Sequence, residues 1–388
     1  MMPCRVCASK RLSPFLHRGA VPVHQNLVLA SDTAARLLAR GELDLVVCQD
    51  CGFVFNMAYD PDLLAYGEGY DNTQSCSPFF DAYLDDLVKD LVERQGVLDS
   101  TIVEVGCGKG EFLRKLVSFP NSGNRGLGFD PSYVGPEVDL DGRLAFRQCY
   151  YDDSCAEVAA DVVVCRHVIE HVAEPMVLLQ SVRKALAGSP TTRVFFETPC
   201  VEWILRNRVI WDFFYEHCSL FTADSLSEAF RRSGFIVERV GRLFGGQYLW
   251  LEARVAKNAP PVIPTHPETP RLAHDYAQEE EQLRRKWLDR LCELATRGKV
   301  ALWGAGAKGA TFANLIDPDA SLIDCVVDLN PHKQGCYIPG TGHPIVAPAE
   351  LTSRGVRSAI LMNPNYLNEN RRLLAEGGMA VDLMDWSE

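Results

Sequence analysis

Apolar positions along this chain change period from one region to the next. Through about residue 75 they follow no helical repeat. From 78 to 96, Phe79, Tyr83, Leu87 and Leu91 recur at every fourth position and predict a helix that ends near Gly96. The run TIVEVGCGKGEFLRKLV then reads as an apolar strand, a glycine loop and an amphipathic helix. Further strands are predicted at NRGLGFDPS, ADVVVCRHVIEHV and TRVFFETP, a β–α alternation that implies a mostly parallel sheet. FIVERVGRLFGGQYLWLEARV reads as a hairpin turning at Gly245 and Gly246. The proline-rich AKNAPPVIPTHPETP marks a linker. A charged helix over 275–297 follows, with Trp287, Leu291 and Leu294 on one face. A second βαβ pattern closes the chain in KVALWGAGAKGATFANLI, SLIDCVVDLNP and SAILMNP. The expected organisation is α/β: a module over 1–75, a domain over 76–255, a linker over 256–274 and a second domain over 275–388.

Bulk composition narrows this picture. With 47% hydrophobic and 23% charged residues, the 388-residue chain has the make-up of folded domains rather than disorder. A net charge of −12 argues against nucleic acid or an anionic membrane as partner. No apolar run is long enough for a bilayer, and Met1 to Ala20 holds no export-type apolar segment, so a cytoplasmic location is the expectation. Fourteen cysteines in such a chain read as thiols rather than disulfides. Two pairs stand out, Cys4-Arg-Val-Cys7 and Cys48-Gln-Asp-Cys51. Each CxxC places two thiolates on one tight turn, and two such turns complete a tetrahedron, so a structural zinc is expected on Cys4, Cys7, Cys48 and Cys51.

The first glycine loop, Glu104-Val-Gly106-Cys-Gly108-Lys-Gly110, lets backbone amides approach a ligand at a helix N-terminus. Glu104 is placed to face a cationic ligand group. Asp130, followed by Pro131, ends the next strand where a carboxylate takes ribose hydroxyls, and Asp152 follows a third short strand, placed for an adenine amino group. The second loop, Gly304-Ala-Gly306-Ala-Lys308-Gly309, precedes Asp328 at the next strand end and fits a dinucleotide fingerprint as well as a structural turn.

These residues resemble the class I S-adenosylmethionine methyltransferases, through EVGCGKG, GFDPS, DVVVCRHVIEHV and the 237–254 hairpin. Nearly end to end, the chain also resembles the zinc-containing sugar C-methyltransferases of deoxysugar pathways. That likeness lies in the cysteine pairs, RGAVPVHQNLV, HVIEHV, YEHCSLFT, and WGAGAKGATFANLI with VVDLNPHKQGCYIPGTGHPI. It implies a small zinc module, a Rossmann-like methyltransferase core and a second Rossmann-like domain, with S-adenosyl-L-methionine and Zn2+ as cofactors. His167 would lie near the cofactor. The chain departs from those enzymes where they carry a tyrosine three residues before the histidine of the YEH segment, since Phe214 stands there with Tyr215 adjacent. YGEGYDNTQSCSPFF departs too.

The activity implied is carbon methylation beside a ketone. His217 would be the base, oriented by Glu216, with His171, Tyr215 or Tyr70 stabilising the enolate. Aromatic neighbours Trp211, Phe213 and Phe221 lower the dielectric around His217. Lys308 is expected to hold the diphosphate of a nucleotide sugar, with Asn72 a second candidate substrate contact. Methylation of oxygen or nitrogen on another small molecule stays open, as does a NAD-dependent oxidoreductase using the second loop. Either a monomer or a homodimer suits the sequence.

Overall fold

The computed structural model describes residues 2–27, 29–64, 76–155, 158–186, 192–257 and 267–386. Three sheets organise them. The first contains β1 (Leu12–Pro22), β2 (Arg40–Cys48), β3 (Val54–Asn56) and β10 (Ser219–Leu220), in that order. β10 belongs to the YEHCSLFT segment, which the sequence places in the middle domain, yet it pairs antiparallel with β3. Two residues of that segment, Ser219 and Leu220, are thereby anchored to the N-terminal sheet.

The central sheet runs β11-β12-β9-β8-β4-β5-β7-β6. Its parallel part is β4 (Thr101–Val105), β5 (Arg125–Phe129), β7 (Leu144–Arg147), β8 (Val162–Arg166) and β9 (Arg193–Pro199). Four of five residues in β4 and in β8 are buried, as continuous apolar strands covered on both faces must be. The hairpin of β11 (Phe235–Leu243) and β12 (Tyr248–Val255) adds an antiparallel edge to β9, and the two-residue β6 (Val138–Asp139) lies at the other edge. The chain moves from β4 to β5 and β7 on one side, then returns to β8 and β9 on the other. The strand order therefore reverses between β4 and β8, where open α/β sheets bind their ligands.

The third sheet runs β15-β14-β13-β16-β17, all parallel, from β13 (Lys299–Trp303), β14 (Ile323–Val327), β15 (Ile345–Val346), β16 (Val356–Leu361) and β17 (Asp382–Asp385). Its reversal falls between β13 and β16. One apolar core joins Leu16 and Leu45 of the first sheet, Trp211 and Phe213, Leu302 of the third sheet and Phe312 of the helix Ala307–Ile316 that follows it. The N-terminal and C-terminal units are thus packed on each other.

Two helices differ from their sequence pattern. In the helix Pro78–Lys89 the buried stripe is Phe80, Leu84, Leu87 and Val88, while Phe79 is 44% exposed. Adjacent aromatics at 79 and 80 gave two candidate stripes, and the one continuing into Leu91 and Val92 is the buried one. The charged helix spans Thr269–Arg297, beginning within the expected linker because Pro270 sits in its first turn, where a missing N–H costs nothing. Among the described residues no helix is long and apolar enough to cross a membrane.

Candidate active site

At the reversal between β4 and β8 lies a cavity of about 310 Å³. Glu104, Gly106, Gly108, Asp130 and Pro131 line it, with Tyr150, Tyr151, Arg166 and His167. Gly106 has φ +71, and a Cβ there would stand 2.0 Å from Cγ2 of Val168, so glycine lets the loop fold against β8. Gly108 has φ +54 with nothing within 4 Å of a Cβ position, and its N–H donates to Asp130 at 2.8 Å. The other Asp130 oxygen accepts from the backbone and hydroxyl of Ser132. Glu104 is 2% exposed, and its Oε2 meets no hydrogen-bond donor among the described residues. Burial raises its carboxyl to about 8 despite Arg166 nearby. Such an acceptor is completed by a cationic ligand group.

Two expected cofactor contacts sit elsewhere. Asp152 is exposed and accepts from the backbone and hydroxyl of Ser154, which turns it outward and leaves Tyr150 and Tyr151 on the wall. Gly110 is the left-handed N-cap of the helix Glu111–Ser118; a Cβ there would strike Phe146 at 2.5 Å, so its part is packing beneath the loop.

A second cavity, of about 240 Å³, lies between the middle and C-terminal domains. His217, Phe214, Asn26, Gln247 and Tyr248 line it from one side, and the second glycine loop with Lys308, Lys333 and Asn363 from the other. The reversal between β13 and β16 opens into it. His167 and His171 line both cavities. The two chambers meet at these rings.

Local turns bring distant histidines together. His217 N–H donates to the Phe214 carbonyl at 3.2 Å, closing a turn with Tyr215 and Glu216 at its corners. The turn's ends lie side by side, and the Phe214 and His217 rings are 4.1 Å apart. His171 ends the short 3₁₀ turn Ile169–His171. Ser219 Oγ donates to the Val172 carbonyl at 2.8 Å, and Arg5 donates to that of Ala173 at 2.9 Å. These ties set the His171 and His217 rings 4.8 Å apart and nearly perpendicular. Burial, then the charges of His171, His167 and Lys308, hold His217 well below its usual pKa, so its imidazole is neutral near pH 7.

The corner residues face away from this chamber. Tyr215 Oη accepts from the backbone N–H of Asp60 at 2.8 Å, beneath Tyr59. Glu216 is fully buried and accepts from the Gln25 N–H at 2.8 Å, with His24 Nδ1 at 3.5 Å. The expectations that Glu216 orients His217 and that Tyr215 offers a hydroxyl to the substrate are therefore not met. Glu216 instead secures the segment from Pro22 to Asn26. Tyr70 and Asn72 lie outside the described residues. Lys308 reaches the second cavity, but its Nζ is held by Asp212 at 2.8 Å and Gln247 at 3.2 Å.

A polar network missed in the sequence underlies the meeting point. Glu197, fully buried on β9, lies 2.5 Å from His167 Nε2, 3.2 Å from Arg166 and 2.7 Å from Tyr83 Oη. Burial opposes its charge, but Arg166 and His167 pull it down to about 2. His167 Nδ1 faces Glu170 at 3.3 Å, and Thr198 holds the other Glu170 oxygen at 2.9 Å. Burial lowers the His167 pKa, yet the two carboxylates outweigh it and raise it to about 9. Its backbone, at φ +55, is left-handed, a strained setting for a non-glycine residue. Glu170, His171 and His217 also place one ligand atom each within 4.8 Å of one another. The only sign of this network in the sequence is an acid inside an apolar strand, Glu197 in RVFFETP.

In the N-terminal module, Cys4, Cys7, Cys48 and Cys51 bring their sulfurs within 4.8 Å of one another. Cys4 and Cys51 stand 3.7 Å apart, Cys7 and Cys48 3.5 Å. A tetrahedron with metal–sulfur bonds of about 2.3 Å needs edges of about 3.8 Å, so the set fits a zinc-sized ion. No disulfide joins any of the fourteen cysteines.

A parallel sheet with a glycine loop, an acid at the second strand end and an unfilled carboxylate at the reversal point define a class I nucleotide-cofactor site of the methyltransferase kind. Comparison with known proteins agrees. Residues 79–240 match a methyltransferase-domain family model, and residues 266–378 match a model described as the C-methyltransferase C-terminal domain. The chain is a class I S-adenosylmethionine-dependent methyltransferase that carries this C-terminal domain. It is 27% identical to the C-methyltransferase NovU of Streptomyces niveus, over 97% of this chain and 94% of that one. Among solved structures, the magnesium protoporphyrin IX methyltransferase of Synechocystis, with bound S-adenosylhomocysteine, covers 49% of this chain and 91% of its own. Its TM-score is 0.36 at 20% identity. The 1,6-didemethyltoxoflavin-N1-methyltransferase of Burkholderia thailandensis covers 46% of this chain and 81% of its own, with a TM-score of 0.36 at 15% identity.

Proposed function

We propose that the protein methylates a carbon beside the ketone of a nucleotide-linked keto-deoxysugar, and that Cys4, Cys7, Cys48 and Cys51 hold a structural zinc. The observation that carries this reading is the shared wall, since His167 and His171 line both chambers. When bound, S-adenosylmethionine supplies an electrophilic methyl group. Glu104 takes its ammonium end and Asp130 its ribose hydroxyls. His217, kept neutral, accepts the proton alpha to the ketone, and the electron pair moves into the enolate. His171 donates a hydrogen bond to the enolate oxygen, and the alpha carbon then forms the new bond. Phe214 holds the base in place by ring contact and keeps water off it. A diphosphate on the C-terminal domain would meet Lys333 and the N-terminus of the helix Ala307–Ile316, drawing Lys308 from Asp212. Four thiolates around zinc leave no open coordination position, so the metal's part is to hold the module that braces the His171 turn through Arg5.

Keto-deoxysugar nucleotides incubated with enzyme and S-adenosylmethionine should gain one methylene in mass. In D₂O with S-adenosylhomocysteine, the ketone should take up deuterium at the alpha carbon, and His217→Asn should stop that exchange while keeping cofactor affinity. Methylation at oxygen or nitrogen, or binding of NADH in place of S-adenosylhomocysteine, would overturn the reading.

A further inference from the structure

A third cavity, of about 210 Å³, lies behind Phe214 where all three units meet. β1 and the start of β2 supply Gln25's neighbourhood and Arg40, the helix Thr269–Arg297 supplies Arg284, and the helix Ala307–Ile316 supplies Thr311 and Asn314. Its chemistry is unlike the two chambers already described. Arg18 is saturated, with Glu280 and the carbonyls of Ile210 and Phe213 around its guanidinium. Arg40 and Arg284 meet only carbonyl and amide oxygens, of Ala20, Asn314 and Gly340 and of Leu315, and no carboxylate among the described residues. The cavity therefore carries uncompensated positive charge in a chain whose net charge is −12.

Two residues that line it also hold polar atoms without partners, just beneath its surface. Gln25 is 2% exposed, and its Nε2 donates to the Pro22 carbonyl at 2.6 Å, which fixes the amide and turns Oε1 away from that bond. Oε1 then meets no donor, and neither does Thr311 Oγ1 meet a partner, on a residue 8% exposed. Leaving such atoms unpaired is costly, and a side-chain rotation that turns them into the cavity would let a ligand with both an anionic and a hydroxyl group satisfy them.

We propose that this cavity is a second ligand site, for a small hydroxylated phosphate or carboxylate, and that its occupancy is felt at His217. The anionic group would lie between Arg40 and Arg284, and a hydroxyl would donate to Gln25 Oε1 and pair with Thr311. Two short paths lead from there to the methyltransfer chamber. Phe214 lines both cavities and its ring lies 4.1 Å from that of His217. Gln25 also donates its backbone N–H to Glu216, the neighbour of His217, while Asn26 beside it lines the substrate chamber. A ligand that favours one placement of Phe214 and Gln25 over another shifts the base by its difference in affinity for the two.

Titration of the purified enzyme with glycerol 3-phosphate at low salt, followed by calorimetry, tests the binding without any methyl acceptor. One equivalent should bind per chain. Arg284→Gln and Arg40→Gln should each weaken it roughly tenfold to a hundredfold, the range for losing a charge-assisted hydrogen bond. Thr311→Val, which keeps shape, should weaken it less, and Lys308→Ala and Lys333→Ala should leave it unchanged. Arg40 is exposed, so its variant should fold even where Arg284→Gln does not. The His217 ring resonance, assigned by its loss in His217→Asn, should move on binding. No binding, binding lost in Lys308→Ala but kept in Arg284→Gln, or an unmoved His217 resonance overturns the proposal. None of these readouts depends on the methyl acceptor, so failure here is distinct from failure of the proposed reaction.

Discussion

Gly106 and Gly108 are two residues apart on one loop, both with positive φ, yet alanine should act on them in different ways. At Gly106 the new methyl would stand 2.0 Å from Val168 Cγ2, well inside van der Waals contact. Val168 follows His167 at the junction of the two chambers, so relief requires moving that turn or the loop. Left-handed backbone alone costs a non-glycine residue about 1–2 kcal/mol, and the clash adds repacking of about 1–3 kcal/mol. Gly106→Ala should therefore lose about 2–5 kcal/mol of stability and its cofactor affinity together. At Gly108 a Cβ meets nothing within 4 Å, so stability should fall by only the backbone share, about 1–2 kcal/mol. Its methyl would project into the cofactor cavity instead. Urea unfolding monitored by tryptophan fluorescence, beside calorimetric titration with S-adenosylhomocysteine, separates the two effects. Gly108→Ala should show a small stability loss with at least a tenfold loss of affinity. Wild-type affinity in Gly108→Ala would refute the placement of the cofactor against this loop.

Purified protein should carry one zinc per chain by elemental analysis, and Cys48→Ser should lose it and unfold the N-terminal module at lower denaturant concentration. The raised His167 pKa predicts a pH-dependent stability difference between wild type and His167→Asn. That contribution should be fully present below the unfolded value of 6.5 and be lost as pH rises through about 9, amounting to about 3 kcal/mol; equal slopes with pH in both proteins would refute it. Glu216→Ala leaves the Gln25 N–H unpaired in a buried setting and should destabilise the fold by about 1–3 kcal/mol, with unchanged S-adenosylhomocysteine affinity by calorimetry.

The strand-loop-helix of TIVEVGCGKGEFLRKLV was legible because three signals agree: an apolar run, glycines at the strand end and an amphipathic helix with Phe112, Leu113, Leu116 and Val117 inward. The cysteine pairs were legible for a similar reason, since spacing alone puts paired thiols on turns. Side-chain direction in irregular backbone was not. Tyr215, Glu216 and His217 are adjacent in sequence, but a turn from Phe214 to His217 points Tyr215 and Glu216 away from the cavity into buried surroundings, and nothing in the residue types announces a turn there. Asp152 misled in the same way, because Ser154 captures its carboxylate locally. Glu197 was hidden by its strand: one acid among apolar residues shows its meaning only when Arg166 and His167 arrive from the end of β8 and Tyr83 from the helix Pro78–Lys89.

Two of the segments that line the second cavity are held by the N-terminal module, which ties the cysteine cluster to the pair of histidines. β10 pairs with β3, which fixes the residues just after His217. Arg5, between the first two cysteines, reaches the Ala173 carbonyl just after His171 and lies over the Phe55 ring at 5.1 Å. The same module sends Pro22 to Asn26 through the interior to Glu216 and to the second glycine loop, where Asn26 Oδ1 lies 3.6 Å from a Cβ position on Gly306. The 4.8 Å approach of His171 to His217 is thus a product of the first sheet as much as of the central one. Loss of the cysteine cluster should show first as a loosened pair of histidines, with the cofactor loop of β4 intact, because that loop is held by Phe129 and Asp130 at the end of β5, Phe146 of β7 and Val168 after β8. A Cys48→Ser protein that still binds S-adenosylhomocysteine but no longer exchanges the alpha proton is the pattern this architecture requires.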